Sequence, residues 1–295
     1  MKNSLNISTG HFLHKLIVLF IYRLFGLFHG RVNGSGFIQK AYSNTASKYG
    51  HENEERHNRI FMEILSRLPK QSNSILDVGC GNGGLLKFLN ENYNKKTLLI
   101  GVDFSFEMLK CAKDASFVCV NASAEKIPFN ANSFDAVVSS LCFHHLPNRA
   151  KALSEIMQVL KPGGSFICCT AGEKYLNEIV SQIIALAAHP RWIKYFINQP
   201  PMYWPLSMKT FKGELENAGF VVSEIYDRQW VDSYKSVSDM LEMFNNITGQ
   251  FFLSNLDDTM KKKFMHDVEK RLKRTTTGIK LTDHLIFSVA TKKEN

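Results

Sequence analysis

The stretch ILDVGCGNGGLLKFL, residues 75–89, decides how this chain is read. Ile75–Val78 is a short apolar run of the kind that forms a strand buried on both faces. Four of the next six residues are glycine (Gly79, Gly81, Gly83 and Gly84), and a helical pattern then runs from Leu85 to Asn92. A strand, a glycine turn and a helix bring backbone N–H groups close to a bound molecule. A turn with no ligand is disfavoured, because four glycines cost backbone entropy and return no packing. Asp77, two residues before the first glycine, puts a carboxylate at the same place.

Working outward, the alternation continues. TLLIGVDF (97–104), SFVCVNAS (116–123), SFDAVVSSLCF (133–143) and GSFICCTA (165–172) read as strands, with helices over Phe106–Lys113 and Arg149–Leu160. Upstream, helical spacing runs from Phe37 through AYSNTASKYG and RHNRIFMEILSRLP until Pro69 breaks it. Downstream, residues 208–226 read as a helix, a stop at Gly219 and a strand, and DHLIFSVATKK (283–293) reads as a last strand. The pattern predicts an α/β fold with a Rossmann-like, doubly wound, mostly parallel seven-stranded sheet. Residues 1–35 are expected to be a basic amphipathic arm. Residues 36–295 are expected to form one domain with helical lid insertions at about 173–206 and 233–280, its ligand lying beyond the C-terminal strand ends.

Composition narrows the function. A hydrophobic fraction of 44% over 295 residues is enough to bury a sizeable core. Cys80, Cys111, Cys119, Cys142, Cys168 and Cys169 show neither CxxC nor zinc-ligand spacing, so reduced thiols of a cytoplasmic protein and no metal site are expected. The net charge of +9 is uneven: residues 1–50 hold six Lys/Arg and no acid, leaving 30 basic against 27 acidic residues in the remainder. A nearly neutral body argues against nucleic acid as a partner.

In HFLHKLIVLFIYRLFGLFHG (11–30) the longest uninterrupted apolar run, Leu16 to Tyr22, falls short of the about 20 residues that span a bilayer. On a helix, Leu13, Ile17, Phe20 and Leu24 belong to a broad apolar face opposite His11 and Lys15. Three readings stay open: a helix packed on the body, a helix lying on a membrane surface, and an acid-poor transit peptide. A secretory signal also fits in length, but no A-x-A-like site follows. RVNGSGF (31–37), with Gly34 and Gly36, reads as a flexible joint.

Gly79-x-Gly81-x-x-Gly84 fits a dinucleotide fingerprint, with Asp103 about 20 residues on, and it equally fits a turn that binds S-adenosylmethionine. Asp77 begins to separate them. A pyrophosphate wants bare N–H groups and is opposed by an acid. S-adenosylmethionine has no phosphate and carries a sulfonium and an ammonium, which a carboxylate attracts. ILDVGCGNGG resembles the first motif of the class I S-adenosylmethionine-dependent methyltransferases, and IGVDFSFEML their second-strand acid motif. ASAEKIPFNANSFDAVVSSLCFHHL and VLKPGGSF are similar to the motifs that follow, over about residues 75–166. The resemblance implies that Asp77, Gly79, Gly81 and Gly83 lie at the methionine moiety, Asp103 at the ribose, Phe104, Ser123 and Ala124 at the adenine, and Leu141 near the methyl group. AYSNTASKY is similar to the helix that closes over the cofactor, which places Tyr49 at the site. Ser123 departs from the family, which often has Asp there, so weaker affinity is expected.

The acceptor is less legible. Methyl transfer demands alignment, and a base only when the nucleophile must lose a proton. His144 and His145, just beyond the fourth strand, are the candidates; they also read as packing residues that cap a turn. Tyr42, Tyr49, Tyr203 and Trp204 are placed to line a pocket or fill the core. The lid and the ENAGFVVSEIY edge are loosely similar to methyltransferases acting on carboxylic acids, of the trans-aconitate and malonyl-carrier-protein types. MKKKFMHDVEKRLKR (260–274), with Phe264, Val268 and Leu272 at helical spacing, reads as a solvated helix face, with contact to an acidic carrier protein or a membrane surface as the alternative. The leading reading is a methyltransferase for a small molecule, a carboxylic acid or a lipophilic acceptor. Behind it stand an RNA or protein methyltransferase, a non-catalytic cofactor-binding regulator, disfavoured by the intact glycines and Asp103, and an NAD-type oxidoreductase, disfavoured by Asp77.

Overall fold

Each apolar run becomes its strand. The computed structural model describes residues 34–46, 54–112, 117–175, 177–196, 206–245, 249, 253, 255–275 and 280–294. The arm's residues 11–30, Tyr49, Tyr203 and Trp204 lie outside the described residues. Helices α1 (Gly34–Thr45) and α2 (Glu54–Leu65) precede β1 (Ser74–Val78), α3 (Gly84–Asn92), β2 (Leu98–Asp103), α4 (Phe106–Cys111), β3 (Val118–Asn121) and β4 (Phe134–Ser140). A single 3₁₀ turn (Phe143–His145), α5 (Arg149–Val159) and β5 (Leu160–Ala171) follow. The rest is α6 (Asn177–Ala187), α7 (Ile193–Phe196), α8 (Met208–Asn217), β6 (Phe220–Ser233), α9 (Val237–Phe244), α10 (Asp258–Thr275) and β7 (Lys280–Lys292).

The seven strands form one sheet in the order β3-β2-β1-β4-β5-β7-β6. β1 to β5 are parallel to one another, and β7 runs antiparallel to both β5 and β6. The chain leaves β1 toward β2 and β3, then returns to β4 on the other side of β1. That reversal opens a crevice beyond the carboxyl ends of β1 and β4.

Side-chain alternation divides the core into two layers. Leu76, Val137, Phe166 and Cys168 face one side, under α5 and α8 through Leu153, Ile156, Phe211 and Leu215. Ile75, Ala136, Val138, Ile167 and Cys169 face the other, under Ile60 and Ile64 of α2 and Leu86 and Leu89 of α3. Among the described residues no helix is long and apolar enough to cross a membrane.

Two expectations are corrected. Gly34 and Gly36 do not form a joint; they stand in the first turn of α1. Two glycines there cost about 1 kcal/mol each relative to alanine. Tertiary contacts offset this: Ile38 is buried, Gln39 Nε2 donates to the Phe104 carbonyl (2.6 Å), and Ser43 and Ser105 hydroxyls meet at 3.1 Å. The basic segment 260–274 is also more than a solvated face. Phe264, Val268 and Leu272 of α10 are fully buried. The Phe264 ring lies 5.0 Å from both Trp192 and Phe196, and Trp192 Nε1 donates to Asp267 (3.1 Å). Both helical insertions therefore share a core with the sheet.

Candidate active site

Three loops meet at the crevice: the glycine turn after β1, the β2–α4 junction and the β4 exit. The turn is folded back on β2, with Gly79 and Cys80 N–H groups donating to the Val102 carbonyl (2.8 and 3.1 Å). Gly79 has φ +80°, and a Cβ there would stand 2.5 Å from Cys142 Sγ. Neither the dihedral nor the space admits another residue. Leu141 at the β4 exit has φ +54° without being glycine, a strained conformation of the kind that collects at functional sites. Its N–H donates to the Cys169 carbonyl (2.8 Å), which pins it there.

The two acids differ. Asp103 accepts from Gly81 N–H (2.9 Å) and Ser105 N–H (2.8 Å), so it is oriented across the turn. Burial pushes its carboxyl up, and those two backbone donors pull the other way. Asp77 is only 1% exposed, and one of its oxygens has no hydrogen-bond partner among the described residues. Burial, with Cys119 and Asp103 nearby, pushes its carboxyl well above the usual range. A buried acid left in this state needs a cationic ligand group to be stable as the carboxylate. The ammonium and sulfonium of S-adenosylmethionine meet that need, while Asp103 keeps lone pairs for ribose hydroxyls. The residues present therefore fit this cofactor.

A cavity of about 1050 Å³, its open mouth included, joins most of the expected residues. Asp77, Gly79, Gly81, Asp103, Phe104, Ser123, Ala124, Leu141 and His145 line it. Gly83 and His144 do not. Gly83 shapes the turn instead, with φ +81° and its N–H donating to the Cys80 carbonyl (2.9 Å). Ser123 is exposed and spends its hydroxyl as acceptor for Glu125 N–H (3.1 Å).

The two histidines divide in the same way. His144 Nδ1 accepts from Ala171 N–H (3.1 Å) and lies 3.1 Å from Thr170 Oγ1, which leaves its proton on Nε2. Burial, then the neighbouring His145, Arg56 and Arg149, lower its pKa well below the ordinary imidazole value. His144 is thus a neutral, packed ring standing behind the cavity. His145 faces the cavity, its ring 4.1 Å from His144 and edge-on to Tyr42 at 5.4 Å.

Sequence reasoning missed the contribution of α2. His57 and Phe61 line the cavity, stacked 5.9 Å apart. Burial and the adjacent Arg56 lower the His57 pKa to about 4. Arg56 itself is buried, with Nε 2.5 Å from Asp283 and Nη2 donating to the Tyr175 hydroxyl (3.0 Å). The available signal was the spacing Arg56, Ile60, Ile64, which puts an arginine on the core face of the helix. Among the described lining residues there is no Lys or Arg.

Comparison with known proteins agrees with this geometry. A family model described as a methyltransferase domain matches residues 76–168. Demethylmenaquinone methyltransferase of Staphylococcus epidermidis is 29% identical over 204 residues, 62% of this chain and 84% of that protein. The mitochondrial arginine-hydroxylase NDUFAF5 of Danio rerio is 33% identical over 134 residues, 45% of this chain and 41% of that protein. The chain spans less than two thirds of the length of several curated relatives, 57% and 41% for the first two. In three dimensions it is similar to the methyltransferase solved in complex with the Trm112 activator of Haloferax volcanii. That likeness has a TM-score of 0.55 at 20% identity and covers 88% of this chain and 98% of the other.

Proposed function

We propose that this chain is a class I S-adenosylmethionine-dependent methyltransferase and that it methylates a small, uncharged, lipophilic acceptor, a reading the methyltransferase-domain match over residues 76–168 supports. The observation that carries this reading is the contrast within one cavity. One wall holds Asp77, with one oxygen unpartnered among the described residues, while α1 and α2 supply apolar and aromatic walls through Ile38, Tyr42 and Phe61. A carboxylate acceptor would enter against Asp77, Asp103 and Glu125 with no cation among the described lining residues to receive it. The relatives named as quinone methyltransferases support the same class of acceptor.

In this reading the backbone of Gly79 and Gly81 and the carboxyl of Asp77 hold the methionine end. Asp103 holds the ribose, Phe104, Ser123 and Ala124 the adenine, and Leu141 borders the transfer point. When bound, S-adenosylmethionine supplies an electrophilic methyl group. His145 receives a proton when the acceptor must lose one, and His144 positions it from behind. The helical insertions act as a lid that excludes water. The acid-free residues 11–30, with their broad apolar face, favour attachment to an anionic membrane face, which would keep the pocket near such an acceptor.

One experiment tests both parts. Full-length protein is incubated with methyl-labelled S-adenosylmethionine, anionic vesicles and the lipid or aqueous fraction of a cell extract. Label is expected in the lipid fraction, and the protein is expected to float with the vesicles unless residues 1–33 are removed. Label confined to aqueous metabolites, RNA or protein overturns the acceptor class; protein left at the bottom overturns the attachment.

A further inference from the structure

Six cysteines are present, and methyl transfer uses none of them. Four have ordinary explanations or stand alone. Cys168 and Cys169 are buried and Cys142 is half-buried at the cavity wall, and desolvation pushes all three thiols up toward inertness. Cys111 is exposed and solitary. The remaining two form a pair: Cys80 Sγ lies 3.9 Å from Cys119 Sγ.

The pair exists because of a glycine. Cys119 of β3 stands opposite Gly101 of β2. A Cβ on Gly101 would lie 2.6 Å from Cys80 Sγ and 2.8 Å from Cys80 Cβ. With hydrogen there instead, the Cys80 side chain crosses β2 and reaches the edge strand. The sulfurs are also unequal. Cys80 is buried and donates its S–H to Cys119, which raises its own pKa; the half-buried Cys119 receives that hydrogen bond, which lowers its pKa. Cys119 is thus the more nucleophilic sulfur and Cys80 the resolving one.

We propose that Cys80 and Cys119 are a peroxide-responsive dithiol whose oxidation disables the cofactor pocket. The Cys119 thiolate attacks one peroxide oxygen and the O–O bond breaks. The departing oxygen takes a proton and leaves as water, and Cys119 becomes a sulfenic acid. Cys80 sulfur then attacks Cys119 sulfur; the S–S bond forms, the S–O bond breaks, and the hydroxyl leaves as water with the Cys80 proton. Two thiols lose two electrons and two protons, and hydrogen peroxide is reduced to two waters.

The consequence follows from position. A disulfide needs a sulfur separation of about 2.05 Å, so the gap must close by roughly 1.9 Å. Cys80 sits between Gly79 and Gly81 and lines the cavity, and the Gly81 N–H orients Asp103. Drawing Cys80 toward β3 displaces this turn. The inference rests on the glycine turn being the cofactor site.

The test treats full-length protein with hydrogen peroxide, quenches it in acid, alkylates it under denaturing conditions and maps the peptides by mass spectrometry. Affinity for S-adenosylmethionine is measured by calorimetry before and after. Expected are a cross-linked peptide pair containing Cys80 and Cys119, affinity weakened about tenfold or more, and recovery with dithiothreitol. Saturating cofactor is expected to slow the cross-link. Cys119→Ser protein is expected to keep its affinity before and after peroxide. The proposal is overturned if both thiols remain alkylatable, if the cross-link forms with affinity unchanged, or if Cys119→Ser protein loses affinity equally. Failure of untreated protein to bind the cofactor sinks the cofactor assignment instead, a result the cross-link readout does not share.

Discussion

Asp77 and Asp283 are both almost fully buried, and the chain treats them in opposite ways. Asp283 on β7 meets Arg56 at 2.5 Å, and both residues are enclosed, 2% and 5% exposed. The same seam continues outward with Arg59 on Asp232 (2.8 Å), and with Arg228 (2.5 Å) and the Tyr226 hydroxyl (2.8 Å) on Glu63. Asp77 and Asp283 each leave one oxygen without a partner among the described residues, but Asp77 on β1 has Cys119 and Asp103 as its charged neighbours and no cation beside it there. The seam binds α2 to the β6–β7 edge and pairs Asp283, Asp232 and Glu63 each with a guanidinium. The turn leaves a charge for something else to complete. A paired buried charge is architecture, and an unpaired one facing a cavity is a request for a ligand.

The largest effect is expected where the pairing is broken. Arg56→Ala leaves Asp283 buried without its cation, and losing one partner of a buried pair costs about 3–5 kcal/mol. Urea unfolding is expected to show a loss of that size. The double variant Arg56→Met, Asp283→Leu is expected to recover most of it, because the pair is removed together with its desolvation cost. A single variant as stable as wild type would mean the seam is not sealed, and the contrast with Asp77 would collapse.

This contrast also explains what the sequence disclosed. The glycine turn, Asp77 and Asp103 lie within 30 residues of one another, and their spacing has few structural uses besides ligand binding. The mostly parallel seven-stranded sheet followed from alternation and from the motifs that accompany it. Arg56 and Asp283 are 227 positions apart, so no local pattern joins them. His57 was hidden for the same reason: its place at the cavity depends on how α2 docks, which is a tertiary fact. Gly34 and Gly36 were misread because propensity gave way to the packing of Ile38 and the Gln39–Phe104 bond. The stripe Phe264, Val268 and Leu272 was visible, but its partner Trp192 comes from the other insertion.

An intermediate effect is expected at the turn, and it has two signs. Asp77→Asn removes the charge that the cofactor's cationic end would meet, and hydrogen bonds to charged groups contribute roughly 1.5–3 kcal/mol. Calorimetry is therefore expected to show affinity weakened tenfold or more. Without ligand the sign reverses. The folded carboxyl titrates above its unfolded value, so its burial favours the protonated form. Stability from this group is present below the unfolded value and is lost as pH rises through the folded one. The Asn variant escapes that loss, so its cofactor-free form is expected to gain stability over wild type at pH 8 and to lose that advantage at pH 4. A variant that is destabilised at pH 8 would place Asp77 with Asp283, as architecture.

The smallest effect belongs to His57, which stands where the two regions meet, beside Arg56 and facing the cavity. Its folded pKa is lowered to about 4 by burial and by the Arg56 charge. The unfolded ring takes a proton near pH 6.5 while the folded ring stays neutral, so the unfolded state binds more protons between those values. Stability contributed by this ring is present above pH 6.5 and is lost as pH falls toward 4. The ring keeps some solvent contact, and screening there reduces the loss to about 1–2 kcal/mol. His144 shifts in the same direction and adds its own acid sensitivity. His57→Phe keeps an aromatic ring against Phe61 and removes the titration. Its urea-unfolding stability is expected to fall by about 1–2 kcal/mol less than that of wild type between pH 7 and pH 5. Equal acid losses would show that neither burial nor the Arg56 charge holds this ring neutral, which would separate the seam from the site more sharply than the geometry does.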